Sequence, residues 1–242
     1  MKNWMGPLGV LVAAVLAWEC LHLIVGEGSL ASPSTTLVQL VSMVSTAEFW
    51  QNALETCWAL ICAFLISIAG GLALGIVLGI NRFAGAVFEP IILNIYSLPK
   101  VTLYPLVLLI FGLGTAAKVA FGVMHGLIPI LLFTMNAIRQ MKPVYLRAAL
   151  TMGLTPSQRV LRVVMPAIAA EISTGLRLSF SLTLLGVLIG EMFASQHGLG
   201  YLLTRAMNLG DTRTLMAIAV VLIAFALTCN AAFTSVHKRM HR

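Results

Sequence analysis

The sequence is short of charge. Only 10% of its 242 residues are Asp, Glu, Lys or Arg, against about 25% in a soluble globular chain. That shortage excludes an ordinary water-soluble enzyme, a disordered regulator and a charged coiled coil. Acidic residues are the scarcer kind, 8 against 15 Lys and Arg. Cysteine is scarce too. Cys20, Cys57, Cys62 and Cys229 all fall in apolar stretches and form no C-x-x-C pair, so neither a disulfide framework nor a zinc site is indicated. No G-x-x-x-x-G-K-[ST] run is present, so no ATP-binding phosphate loop is expected. No His/Cys/Asp/Glu cluster has metal-ligand spacing and no nucleophile–base arrangement is visible. His22 and His125 stand alone in apolar runs. No catalytic or metal-binding residue is therefore assigned.

What the chain does have is hydrophobic sequence, 60% of the total, laid out in long runs. A helical membrane span needs about 20 apolar residues, so an all-α integral membrane protein with about six spans is expected. The spans fall near residues 8–25, 56–80, 87–111, 118–138, 167–192 and 214–236. The first reads as a membrane anchor rather than a cleaved signal, because Glu19 and His22 interrupt it and no small-residue cleavage site follows. Residues 26–36 read as a loop and 37–54 as an amphipathic interfacial helix. Residues 194–213 read as a polar re-entrant segment or loop. The chain thus divides into an N-terminal anchor with an external amphipathic segment (1–53), a membrane domain (54–236) and a basic tail (237–242). Within the second span Gly71, Gly75 and Gly79 repeat every four residues. Such spacing lets helix backbones approach closely in lipid, and packing within the chain is the preferred reading over a dimer seam.

The formal charge of +7 is explained by topology, not by nucleic acid. With the N-terminus inside, Lys2, Arg82, Arg139, Lys142, Arg147, Arg159, Arg162, Lys238, Arg239 and Arg242 all lie on the inner side. Outer loops hold only Lys118, Arg205 and Arg213. Basic residues resist translocation, so both termini are expected in the cytoplasm.

Residues 139–165 carry Arg139, Lys142, Arg147, Arg159 and Arg162 and no acidic residue. Pro143 suits a first helical turn. Gly153 should break that helix, and Thr155-Pro156 supplies an N-cap and a first-position proline for a second one. Pro166 should end it. The spacing predicts a short helix–turn–helix on the cytoplasmic surface, suited to docking another protein.

This segment resembles the EAA loop of ABC importer permeases, whose pattern is Glu-Ala-Ala, three residues, Gly, nine residues, Ile, one residue, Leu-Pro. Here Arg147-Ala148-Ala149 is followed at the same spacing by Gly153, Val163 and Met165-Pro166. Arg147 reverses the charge of the pattern's glutamate. Val163 and Met165 are mild departures. Leu98-Pro99-Lys100 with Pro105-Leu106, Phe111-Gly112-Leu113-Gly114, Gly175-Leu176-Arg177-Leu178, Gly190-Glu191-Met192 and Gly198-Leu199-Gly200-Tyr201 are similar to strings of the nitrate, sulfonate and taurine branch. The resemblance covers roughly residues 50–240. It implies a permease of the bacterial inner membrane carrying a small anionic solute (a sulfonate, taurine, nitrate or organic acid). The implied partners are two ABC ATPase subunits, a second permease (identical or paralogous) and an external substrate-binding protein. ATP and Mg would be bound by the ATPase and no cofactor by this chain, which would not itself be an enzyme. The implied ATPase-coupling residues are Arg147, Ala148, Ala149, Gly153, Leu154, Thr155, Pro156, Arg159, Val163, Met165 and Pro166.

Charges inside spans are costly, which makes Pro99-Lys100, Arg177 and Glu191 candidates for the translocation pathway. The alternatives are a Lys100 that snorkels or pairs with Glu89, an Arg177 that anchors the inner side, and a Glu191 that sits structurally at the outer mouth. Arg177 and Glu191, about 21 Å apart along one helix, cannot pair with each other. The competing function, a stand-alone channel or secondary carrier, would leave the cytoplasmic helix pair without a purpose.

Overall fold

The computed structural model describes residues 5–240, so Lys2 and the last two residues of the tail at 237–242 lie outside the described residues. Every regular element among the described residues is helical. Backbone polar groups in lipid must be satisfied within the segment, and a chain this apolar satisfies them by helix.

Helix α1 (Met5–Val25) runs for 21 residues and is apolar over Gly9–Val25. A turn folds back on it, with Trp18 Nε1 donating to the Ala31 carbonyl at 3.0 Å and His22 Nδ1 2.7 Å from the Leu30 carbonyl. Ser32 caps α2 (Pro33–Val44) and Thr46 caps α3 (Ala47–Ile80), each accepting the backbone N–H three residues on. The amphipathic segment expected over 37–54 is therefore two things. Its first part is α2, and residues from Ala47 are the opening turns of the long spanning helix α3. Thr46 decides this, because its side chain satisfies an N–H that would otherwise be orphaned at that point.

Asn81 ends α3 and caps α4 (Arg82–Ser97). Pro99 then breaks the chain, a 3-10 turn follows over Lys100–Leu103, and α5 (Tyr104–Phe111) leaves at 87° to α4. The third expected span is thus a bent pair. Long apolar helices number four among the described residues, α3, α6 (Thr115–Gln140), α10 (Ala169–Ala194) and α12 (Thr212–Met240), or five spans if the bent pair crosses as one. Between α6 and α10 lie α7 (Pro143–Thr151), α8 (Pro156–Arg159), a π-helical turn (Val160–Val164) and α9 (Met165–Ala167). Between α10 and α12 the segment read as a loop contains an amphipathic helix, α11 (Leu199–Asn208).

The core is α6 held between α3 and α10. Between α3 and α6 the glycine ladder makes the seam: Gly71 faces Ile130, Gly75 faces Thr134 and Gly79 faces Ile138. The ladder is used within the chain, as expected. Nearer the start of α6, the hydroxyls of Ser67 from α3 and of Ser179 and Thr183 from α10 converge on Gly126, and Ser179 donates to the Gly126 carbonyl at 2.7 Å. Lipid tails are as apolar as leucine, so such close approach, rather than water exclusion, binds these helices.

A Cβ added at Gly75 would lie 2.7 Å from Thr134 Cβ and 2.8 Å from the Leu131 carbonyl oxygen. Gly75→Leu is expected to force α3 from α6 at a cost of about 1–3 kcal/mol or more. Gly9→Leu, at a site with nothing within 4 Å, should be neutral. Thermal unfolding of the two purified variants in detergent, followed by reaction of exposed cysteines with a fluorogenic maleimide, checks this. Equal midpoints would refute the seam.

Candidate coupling loop and buried charge cluster

Two sites stand at opposite ends of the core. At the end where α6 finishes and α10 begins, α7 starts with Pro143, whose missing N–H would be unbonded there in any case. It stops at Gly153, which has φ +68°. The Gly153 N–H donates to the Leu150 carbonyl at 3.0 Å and the Leu154 N–H to the Ala149 carbonyl at 3.2 Å. That pair of bonds is the Schellman ending, which needs a left-handed residue at this position. Thr155 then caps α8 in a reciprocal box: the Gln158 N–H donates to Thr155 Oγ1, and the Thr155 N–H donates to Gln158 Oε1 at 3.0 Å.

Pro166 does not end the second helix cleanly. It has no N–H for the Arg162 carbonyl, and the turn before it widens so that the Met165 N–H donates to the Val160 carbonyl. The π turn absorbs the proline. Val164 and Ile168 lie fully buried against Ala137, Ile138 and Ile172, so the unit is rooted in the α6–α10 core. Of the named coupling residues, Ala149 is buried. Leu154, Arg159, Val163 and Met165 are half-buried. Arg147, Ala148, Gly153, Thr155, Pro156 and Pro166 are exposed. Around them Val144, Leu150, Met152 and Leu161 also face outward. An exposed apolar surface rimmed by Arg147 and Arg162 fits a protein partner.

At the other end, Glu191 of α10 has no exposed surface. Thr56 Oγ1 stands 2.9 Å from one of its carboxylate oxygens, and the Gly200 N–H donates to it at 2.9 Å. Lys118 Nζ lies 3.7 Å from Glu191 and 3.6 Å from Glu55, and donates to the His197 carbonyl at 3.2 Å. The Leu199 N–H donates to Thr56 Oγ1 and the Gly198 N–H to Asn52 Oδ1. Three successive N–H groups at the start of α11, which no helical carbonyl could satisfy, are thus capped by side chains from α3 and α10. Gly198, at φ +119°, leaves no room for a Cβ beside the Glu191 carboxyl. Nearby, Asp211 caps α12 through the Thr214 N–H at 3.0 Å. Partial burial pushes the Asp211 carboxyl up, but hydrogen bonds from Thr214 and Arg213 and the Arg213 charge outweigh it and hold the group below its ordinary range.

The structure corrects two placements: Arg213, expected in an outer loop, stands in the first turn of α12, and the larger change is at Lys118. Lys118 was expected in an outer loop, yet it is 1% exposed inside α6, because two carboxylates and a carbonyl compensate its desolvation. The cluster had a signal in the sequence: Lys118 near the start of one span and Glu191 near the end of the next, antiparallel one must meet at the same depth. Asn52 and Thr56 carried no such signal. The pathway candidates do not share a site. Pro99 forms the bend. Lys100 donates to the Tyr96 carbonyl at 3.2 Å and sits 4.6 Å from the Tyr96 ring centre. Glu89 pairs with Arg139 instead, tying α4 to α6. Arg177 is exposed on α10, facing Thr234 of α12.

The chain is similar to known transport proteins. The chain is 26% identical over 225 residues to a probable ABC transporter permease of Haemophilus influenzae, covering 91% of this chain and 90% of the relative. It is 26% identical to the taurine transport system permease protein of Escherichia coli, over 92% of this chain and 83% of the relative. It is 23% identical to the nitrate import permease protein of Synechococcus elongatus, over 84% and 77%. Its fold superposes on a chain of the inward-facing MetNI methionine ABC transporter with a TM-score of 0.67, at 19% identity, covering 85% of this chain and 98% of that one. Residues 71–242 match the family described as binding-protein-dependent transport system inner membrane component. With more than half its length matched, the chain belongs to that family, the permeases of ABC importers.

Proposed function

We propose that this permease carries a small oxyanion-bearing solute, a sulfonate, taurine, nitrate or organic acid, and is driven by ATP hydrolysed in separate partner subunits docked on α7–α9. The observation that carries the coupling half is the helix pair itself: a Schellman stop and a capping box give it a fixed shape, Val164 and Ile168 root it between α6 and α10, and its outer surface is apolar. A force applied there moves the core helices, because packed elements shift as units. The taurine and nitrate relatives support the substrate class. ATP and Mg belong to the partner ATPases, two of them, one for each of two permeases that are identical or paralogous. An external binding protein delivers the solute. The α7–α9 end and both termini face the cytoplasm, which places the basic residues of that loop where positive charge is retained. Pro99 and Lys100, at the bend, border the pathway, while Glu191, with no exposed surface, and Arg177, on α10 against α12, support the helices around it.

The test is a mild-detergent purification of this chain from its native membrane with partners identified by mass. An ATPase in roughly equal amount, whose hydrolysis rises with binding protein and taurine or nitrate, is the expected result. A chain that purifies alone and supports ion-gradient-driven uptake would establish the carrier reading instead.

A further inference from the structure

Four cations lie within the straight spans: Lys118, Arg139, Arg177 and Arg213. Three have carboxylates within 4 Å, Lys118 with Glu55 and Glu191, Arg139 with Glu89, and Arg213 with Glu27. Arg177 is the exception among the described residues. Its one protein partner is neutral: Nη1 donates to Thr234 Oγ1 at 3.3 Å. A guanidinium has five N–H donors and no acceptor, and a charge at membrane depth calls for a counter-charge.

The surroundings of Arg177 have the form of a site. It lines a cavity of about 640 Å³ between α10, α12 and the Phe133 side of α6. Ser181, Asn230 and Thr234 share the lining, and Asn230 Nδ2 reaches Ser181 Oγ at 3.4 Å. Phe133 and Leu227 supply an apolar wall. A charged fork beside an amide and hydroxyls, with no carboxylate in reach, suits an oxygen anion and repels a cation. Arg177 lies eight residues after Ala169, about 12 Å along the helix. Its flexible stem can carry the guanidinium toward the interface on the α7–α9 side. The cavity is open to the outside of the chain, with an apolar wall for the glycerol and first methylenes.

We infer that Arg177, Ser181, Asn230 and Thr234 form a binding site for a phosphate- or sulfonate-class oxyanion, held at the membrane face of α10 and α12. The depth and the outward opening favour the phosphodiester of an anionic phospholipid as its source. A free oxyanion is the other source with the same chemistry. The inference goes beyond the importer reading and does not require it, since the site exists in the isolated chain.

The test uses the full chain in nanodiscs. In phosphatidylcholine discs containing a minor fraction of phosphatidylglycerol, native mass spectrometry counts the phosphatidylglycerol retained after progressive delipidation. In discs of phosphatidylcholine alone, fluorine NMR of trifluoromethanesulfonate reads binding of a free oxyanion. Wild type should retain one more phosphatidylglycerol per chain than Arg177→Gln, whose apparent affinity should fall about tenfold, the scale of a lost charge-assisted contact. Arg177→Lys should retain part of the binding. Line broadening of the sulfonate, lost in Arg177→Gln without a change in lipid retention, would assign the site to a free oxyanion. If Arg177→Gln fails to purify as a single species, Asn230→Ala and Thr234→Val carry the test, each expected to weaken binding severalfold. Wild type and variants alike in both arms would overturn the inference.

Discussion

Replacing Glu191 with leucine is expected to cost this permease its folded state, by about 3–5 kcal/mol, the usual penalty for stripping one partner from a buried ion pair. The loss has three parts. Lys118, 1% exposed, would keep only the half-exposed Glu55 and one carbonyl. The Gly200 N–H would be buried without an acceptor, and the Thr56 hydroxyl would turn back to its own helix, where the Asn52 carbonyl lies at 3.2 Å. Glu191→Gln separates these terms, because its amide oxygen can still accept from Gly200 while the charge is gone. The expected order of thermal midpoints in detergent is wild type, then Glu191→Gln, then Glu191→Leu. Lys118→Met should fall with Glu191→Leu. Thr56→Val should be milder, since the carboxylate keeps its other partners. A Glu191→Leu permease melting with wild type would show that the cluster is not what fastens α11 to α3 and α6.

The second large effect belongs to Gly153. Proline is locked near φ −65° and has no N–H, whereas this position requires φ +68° and donates to Leu150. Gly153→Pro should therefore re-aim α8 against α7 without touching the membrane core. The expected result is loss of ATPase co-purification by about tenfold or more, the change in affinity that about 1.4 kcal/mol produces, and loss of solute-stimulated hydrolysis, with the thermal midpoint nearly unchanged. Gly153→Asn should restore most of both, because asparagine tolerates the left-handed region better than other side chains. Equal co-purification by wild type and the proline variant would remove α7–α9 from the docking surface.

These two sites show which signals a sequence can carry. The helix pair α7–α9 was legible almost residue by residue. Pro143, Gly153, Thr155 and Pro156 act on the backbone within a few positions of themselves, so their meaning survives without knowledge of the fold. The one local surprise, the π turn at Val160–Val164, arises where Pro166 falls inside a helix that tertiary burial of Val164 and Ile168 keeps going. The glycine ladder was also readable, because a four-residue repeat marks one face of a helix. What it could not say was that Ile130, Thr134 and Ile138 would stand opposite.

The sequence by itself determined that this chain is helical and membrane-embedded, and where its α7–α8 helix pair begins and turns. Low charge, apolar run length and cap residues are properties of single segments, and the bilayer leaves such segments no alternative to helix. Tertiary structure alone decided that Lys118 is buried, that the third apolar run bends by 87°, and that Glu191 caps α11 with Asn52 and Thr56 from α3, residues more than a hundred positions away. Periodicity fixes the face a side chain occupies but not its partner. In a bundle held by close packing, the partner is set by which helices can approach, and the costs of an unpaired charge and an unbonded N–H then select the arrangement in which Glu191 meets both.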